Sequence, residues 1–325
     1  MDIDQLYYNA IDLLKEMIST PSFSREENIV ADKIEAYIKT MGFVPNRKGN
    51  NIWIQNKNFD TAKPTILLNS HIDTVKPVAG WTKDPFVPTE EEDTLFGLGS
   101  NDAGASVVSL LHSFFILTAK AQNYNLVFLA SCEEEVSGKG GVEAVLEELP
   151  SIEFGIVGEP TGMHPAVAEK GLMVLDCTAK GKSGHAARNE GENAIYKAVK
   201  DIEWFNTFQF PKESDLLGGV KMTVTMINAG TQHNVVPDKC DFVVDVRSNE
   251  LYSNEELFKI IDQYTDSEIK ARSYRLNSSS IPLENPFVER TMIIGKEPYG
   301  SPTLSDQALM PFPTVKIGPG DSARS

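Results

Sequence analysis

Positive charge is in short supply in this chain of 325 residues: 30 lysines and arginines face 46 aspartates and glutamates, for a formal charge of −16. Surfaces that hold nucleic acid or an anionic membrane need a basic footprint, so neither partner is expected. The acidity is compatible with cationic ligands or metals, although most of it is ordinary solvated surface. Long apolar runs are also missing; none approaches the roughly 18 residues that suggest a membrane span. The opening "MDIDQLYYNAIDLLKEM" is acidic where a secretory signal would be basic, and a cytoplasmic protein is the expectation. Cysteine is sparse: Cys132, Cys177 and Cys240 are odd in number, widely spaced and without a C-x-x-C pair. A disulfide framework and a zinc finger are thereby unsupported, and the thiols read as reduced core residues. No internal repeat or low-complexity tract is present.

A chain of this length favours two domains, and its patterning divides it accordingly. Near the N-terminus Leu6, Ala10, Leu13, Leu14 and Met17 recur at helical spacing. A second helix is expected to open at a capping box of Ser24 and Glu27, to bury Ile34, Tyr37, Ile38 and Met41, and to stop at Gly42. The nearly continuous apolar runs "TILLNSH", "NLVFLAS" and "FGIVGEP" alternate with helices expected near 103–117 and 142–149. Such strands belong to an α/β sheet covered on both faces.

From about Ala168 the strands alternate instead. "KMTVTMI" sets Met222, Val224 and Met226 on one face, and "DFVVDVR" does the same with Phe242, Val244 and Val246. Two amphipathic helices, near 194–202 and after a capping box of Ser253 and Glu256, complete a βαββαβ order. That order is ferredoxin-like. The expected organisation is a first domain over 1–168, an inserted α+β domain over 169–278 and a return over 279–325, with "NSSSIPLENP" marking the return.

The stretch "FLASCEEEVSG" sets Glu133, Glu134 and Glu135 side by side at the mouth of an apolar strand, where each carboxylate raises the cost of ionising the next. In "LLNSHIDTV", His71 and Asp73 leave another strand on the same side. A ligating imidazole usually donates its other N–H to a carboxylate, although a surface pair of this kind is equally common. Asp102 in "GLGSNDAGAS" precedes a helix that it or Asn101 would cap. The glycines there do not complete G-x-G-x-x-G, and "TAKGKSGH" lacks the first glycine of a phosphate loop. Glu159 in "FGIVGEPTG" stands at one more strand exit.

In open α/β sheets the loops at the carboxyl ends of strands share one crevice, so His71, Asp102, Glu134, Glu135 and Glu159 can converge. A divalent cation turns such a repulsive set into a coordination shell. One imidazole with several carboxylates and no thiolate suits zinc, cobalt or manganese better than calcium.

In this order the motifs "HIDTV", "GWTKDPF", "GLGSNDAG", "EEEVSG", "GEPTG", "GKSGHAA", "GENAI" and "HNVVPDKCDFVVDVR" resemble those of the dinuclear zinc amidohydrolases and exopeptidases. That family includes acetylornithine deacetylase, succinyl-diaminopimelate desuccinylase, aminoacylase and glutamate carboxypeptidase. The resemblance covers essentially the whole chain. It implies a zinc exopeptidase-like mixed sheet flanked by helices, with the inserted domain as a lid. The implied activity is metal-dependent cleavage of an N-acyl amino acid, foremost N-acetyl- or N-succinyl-ornithine of arginine synthesis. Desuccinylation of diaminopimelate, dipeptide cleavage, carboxypeptidase action and a catalytically impaired homologue are the alternatives.

By the same resemblance two divalent ions, zinc or cobalt, are bound: one by His71 and Glu159, the other by Glu135, with Asp102 between them. Asp73 would orient His71, and Glu134 would be the general base, leaving Glu133 as a solvated or structural neighbour. In the lid, His185 is implied to stabilise the oxyanion in a partner subunit's site, Asn234 and Arg247 to contact substrate, and the protein to form a homodimer. His112, His164 and His233 are expected to be structural or loop residues. The pattern breaks at "KIGPGDSARS", which relatives follow with a histidine completing the second ion's shell; here no histidine occurs beyond His233. The expectation is an incomplete C-terminus or a lost ligand, and a weakly occupied second site.

Overall fold

The structure, a computed structural model, describes residues 2–324. Its principal elements begin with α1 (Ile3–Ile18), α2 (Asn28–Thr40), β1 (Asn51–Gln55), β2 (Thr65–His71), α3 (Ala105–Thr118), β3 (Asn125–Ser131), β4 (Phe154–Val157) and β5 (Ala166–Glu169). They continue with β6 (Met173–Lys180), α4 (Ala194–Thr207), β7 (Lys221–Ala229), β8 (Lys239–Arg247), α5 (Asn254–Tyr264), β9 (Glu268–Ala271), α6 (Pro286–Ile293) and β10 (Thr314–Lys316). The chain forms two compact units. The first comprises Met1–Val167, Ile281–Tyr299 and Ser305–Ser325, and the second Ala168–Ser280 with Gly300–Leu304.

The first unit is built on a mixed sheet in which β1, β3, β2, β4, β10 and β5 lie side by side. β3, β2, β4 and β10 are mutually parallel, while β1 and β5 pair antiparallel with their neighbours. Every residue of β3 is buried, because its side chains enter two cores. Leu126, Phe128 and Ala130 face a cluster with α1, α2 and α3, whereas Val127 and Leu129 face Val142, Val145, Leu149 and Met310. Coverage on both faces is why these strands read as unbroken apolar runs.

Three local expectations are corrected. The second helix begins at Asn28 with Glu27 as its N-cap and has no side-chain cap, because the Ser24 hydroxyl is engaged elsewhere. Residues 142–149 form two short 3-10 turns, Val142–Ala144 and Leu146–Glu148, instead of a helix. The helix expected from 103 starts at Ala105, after an irregular turn Ser100–Gly104 that contains a cis peptide between Asp102 and Ala103.

The second unit is a four-stranded antiparallel sheet in the order β7-β8-β6-β9, the arrangement of a ferredoxin-like βαββαβ fold. Phe242, Val244 and Val246 of β8 are buried with Ala194 and Ala198 of α4 and Leu257 and Ile261 of α5. The capping box of Ser253 and Glu256 is present at the start of α5. On β7 the expected alternation fails midway. A bulge between Val224 and Met226 shifts the register, so Met222 and Val224 pack against the core while Met226 is 65 % exposed. All three cysteines are free and buried, and burial pushes the Cys132 and Cys177 thiols up to about 12. No helix among the described residues is long and apolar enough to cross a membrane.

Candidate metal centre

Because β2, β3 and β4 run parallel, their carboxyl ends lie along one edge of the sheet. β2 ends at His71, the 3-10 turn Glu134–Val136 follows β3, and Glu159 follows β4. The turn before α3 contributes Asp102. The buried His71 ring places Nε2 3.0 Å from Asp102 Oδ1 and 3.8 Å from Glu159 Oε1. One ligand atom each from His71, Asp102 and Glu135 lie within 4.8 Å of one another. The fold therefore gathers four residues that are far apart in sequence.

The other ring nitrogen meets Asp73 differently from expectation. His71 Nδ1 lies 3.0 Å from the Asp73 main-chain carbonyl and 3.5 Å from its carboxylate. Nδ1–H donation to that carbonyl fixes the ring so that Nε2 faces Asp102; without a metal Nε2–H donates to that carboxylate, and loss of this proton would free the lone pair that a metal takes. The wholly buried Asp73 carboxylate instead accepts from the N–H of Glu134 at 3.0 Å, the N–H of Glu135 at 3.1 Å and the Ser24 hydroxyl at 2.7 Å. Burial would raise its pKa, but His71, Ser24 and the Glu134 N–H outweigh burial and hold it below the usual carboxylate range.

Glu133 is turned away from this edge. Its backbone is left-handed (φ 56°), and its N–H donates to the buried Glu27 carboxylate at 3.2 Å. Its own carboxylate accepts from the N–H of Gly140 at 3.3 Å. A Cβ on Gly138 would stand 2.6 Å from Glu133 Cβ, so glycine is what lets the loop fold over that side chain. The three consecutive acids thus divide: one ties the loop together, and two face the sheet edge.

The site's electrostatics are those of a cluster lacking positive charge. Burial, with repulsion from Glu159, Asp306 and Glu135, raises Glu134 well above its usual value against the pull of His71. Burial and the neighbouring carboxylates raise Glu135 to about 7 and Glu159 to about 8. Burial alone would lower His71, but its hydrogen bonds to Asp102 and Asp73 and the charges of Glu134 and Glu159 raise it well above normal. Carboxyls raised this far above their usual range fit a site completed by divalent metal, and the oxygen and imidazole donors suit zinc or a similar ion.

Two participants have no local signature in the sequence. Ser24 resembles a helix cap, yet it serves Asp73. Asp306, buried in the return segment, accepts from Asn69 Nδ2 at 3.0 Å and Ser131 Oγ at 2.7 Å. Beside Asp102 and Glu135 opens a cavity of about 690 Å³, walled partly by Trp81, Phe96, Leu98 and Asp321.

Within the second unit, His185 is exposed on a two-residue strand, Gly184–His185, paired with Val235–Val236. Asn234 is adjacent, its carbonyl accepting the Ala186 N–H at 3.0 Å. The Arg247 guanidinium makes two hydrogen bonds to Asp245, at 2.8 and 3.1 Å, so an incoming carboxylate must compete for that fork. His112 is structural, its Nδ1 2.7 Å from the Val108 carbonyl and its Nε2 2.7 Å from the Tyr37 hydroxyl. His164 is held in a loop by the Glu297 backbone, and His233 is exposed.

A peptidase dimerisation domain matches residues 167–272. Over 95 % of this chain and 88 % of the relative, the sequence is 27 % identical to an acetylornithine deacetylase of Proteus mirabilis. It is 28 % identical, over 96 % of this chain and 90 % of the relative, to a Mycobacterium tuberculosis protein provisionally named succinyl-diaminopimelate desuccinylase. Among solved structures, a dinuclear metal-binding M20 peptidase of Bacillus subtilis superposes with a TM-score of 0.72 at 17 % identity, over 97 % of this chain and 89 % of that one. The aminopeptidase PepT of Bacillus cereus does so with a TM-score of 0.74 at 18 % identity, over 95 % of this chain and 89 % of the other.

Fold and site together define a metal-dependent hydrolase of amide bonds. The chain is thus similar over nearly its whole length to metallohydrolases of the M20 type, and its second unit carries their dimerisation domain.

Proposed function

We propose that the protein removes the acyl group from an N-acyl amino acid, foremost N-acetyl- or N-succinyl-ornithine, using two divalent ions, zinc or cobalt. The observation that supports this reading most is the gathering of His71, Asp102 and Glu135 at the strand tips, with Glu159 3.8 Å from the His71 ring. When bound, the ions supply Lewis acidity toward the amide carbonyl and toward water. His71 and Glu159 would hold one ion, Glu135 the other, and Asp102 would face both. Among the described residues His71 is the one imidazole of the cluster, so the ion beside it would be the more tightly held.

Glu134 is the proposed general base. Its carboxylate takes a proton from the attacking water and returns it to the departing amine nitrogen. Asp73, through the N–H groups of Glu134 and Glu135, keeps that turn against His71. The cavity beside Asp102 supports a basic amino-acid side chain: Trp81 and Leu98 offer aromatic and apolar surface and Asp321 a carboxylate, whereas the Phe96 ring is already met by Lys83 Nζ at 4.8 Å. His185, Asn234 and Arg247 are proposed as contacts to the tetrahedral oxyanion and the substrate carboxylate.

A homodimer in the cytoplasm is part of the proposal. The dimerisation-domain match and the edge strand β7, with Met226 65 % and Ile227 57 % exposed, support the pairing. Light scattering on the purified protein tests it, and a monomer at micromolar concentration overturns it.

Desuccinylation of succinyl-diaminopimelate is the second reading, favoured by the name of the Mycobacterium relative. Release of free amine from acetyl-ornithine, succinyl-ornithine, succinyl-diaminopimelate and a dipeptide panel, with added zinc or cobalt, separates the two. Cleavage of peptides alone would sink both.

A further inference from the structure

Asp306 is a buried carboxylate to which the proposed chemistry assigns no task. It sits 4 % exposed in the return segment, within the first unit, and one oxygen, Oδ2, takes both the Asn69 amide at 3.0 Å and the Ser131 hydroxyl at 2.7 Å. Asn69 stands two residues before His71 on β2, hence on the same face of the sheet. Ser131 ends β3 and is the register partner of His71. Asp306 is therefore pinned to the two strand ends that present His71 and the loop of Glu134 and Glu135.

A buried carboxylate is costly unless hydrogen bonds or a cation compensate it. Here two neutral donors hold it, and the charges of His71 and Asp73 also act on it. It also adds one more acid to a buried region that already holds Asp73, so for folding alone a neutral amide making the same contacts would serve as well. The arrangement gains its sense once cations lie at the strand tips.

We propose that Asp306 is a positioning residue of the metal centre, fixing Asn69 and Ser131 so that the ends of β2 and β3 hold His71, Glu134 and Glu135 at coordination distance. It touches neither the metal nor the substrate in this role; it sets where the groups that do so stand. The inference rests on the ligand set proposed above.

Asp306→Asn keeps the shape but removes the charge and puts an N–H₂ donor in place of one carboxylate oxygen, weakening its hold on the Asn69 and Ser131 donors, while Ser131→Ala removes one donor and leaves the carboxylate. Zinc affinity is measured by competition with a chromophoric chelator, alongside kcat and KM on the best substrate of the panel and far-UV circular dichroism. For Asp306→Asn, zinc affinity and kcat are expected to fall about 10- to 100-fold, the range for groups that support metal ligands, with KM nearly unchanged. Ser131→Ala should show a smaller fall in the same direction, and Asp306→Glu should recover part of the lost affinity. Wild-type affinity and kcat in both Asp306→Asn and Ser131→Ala overturn the proposal, as does a loss of thermal stability with zinc affinity intact. Glu135→Gln is the control for the ligand set: if it binds zinc as the wild type does, the ligand assignment fails, and that result is separate from the outcome for Asp306.

Discussion

The N–H of Glu135 donates to Oδ2 of Asp73 at 3.1 Å, and the neighbouring N–H of Glu134 donates to the other oxygen at 3.0 Å. One buried carboxylate thus sets the direction of the turn that carries the proposed general base, while its own main-chain carbonyl faces Nδ1 of the nearby imidazole. The His-x-Asp spacing does two jobs because backbone and side chain of the second residue serve different partners.

Replacing Asp73 by Asn leaves the carbonyl that holds His71 but presents an amide N–H₂ to one of the two main-chain donors. A buried N–H without an acceptor costs about 1–3 kcal/mol. Asp73→Asn is therefore expected to lower thermal stability and to reduce kcat about 10- to 100-fold, with KM less affected. Unchanged kcat in a folded variant would show that the turn does not depend on this carboxylate.

The metal-free protein should respond to pH in an unusual direction. Glu135 and Glu159 are raised from 4.5 to about 7 and about 8 in the folded state, so between pH 4.5 and 8 the folded chain holds more protons than the unfolded one. Stability then falls as pH rises through that window. Melting temperature after chelator treatment should decline from pH 5 to pH 8, and saturating zinc should remove most of the decline. Zinc binding at pH 7 should also release protons, seen as a dependence of calorimetric heat on the buffer's ionisation enthalpy. A melting temperature that climbs with pH in the metal-free state contradicts this account.

How much of this was readable in the residues alone follows from the range of each interaction. Periodicity exposes α1, α5 and the buried runs of β2 and β3 because burial repeats along the element itself. His71, Asp102, Glu135 and Glu159 stand out because charged and imidazole groups at the ends of apolar strands are costly without a ligand. Ser24 misleads because a capping box is a local pattern that cannot reveal a carboxylate 49 residues away in the chain. Val142, Val145 and Leu149 have a spacing that 3-10 turns satisfy as well as an α-helix. The bulge that exposes Met226 and the link from Asp306 to Ser131 arise from pairings that no single segment records.

Glu133 and Glu134 are neighbours in sequence to which the proposed mechanism gives opposite duties, and substitution should separate them. Glu134→Gln removes the proton acceptor while preserving size, so kcat is expected to fall at least 100-fold, in line with about 10²–10⁴ for general acid–base groups, with zinc affinity close to wild type. Glu133→Gln lies outside the chemistry but loosens the loop, where the carboxylate accepts from the Gly140 N–H at 3.3 Å and faces Arg25 Nε at 3.8 Å. Its left-handed backbone is retained, so the expected cost is about 1 kcal/mol of stability, with kcat per folded molecule within about threefold of wild type. The comparison is read from zinc titrations, single-turnover rates and urea melts on the two variants side by side. Equal losses of kcat would mean that the left-handed turn at Glu133 does not divide the acidic run into a tether and a base.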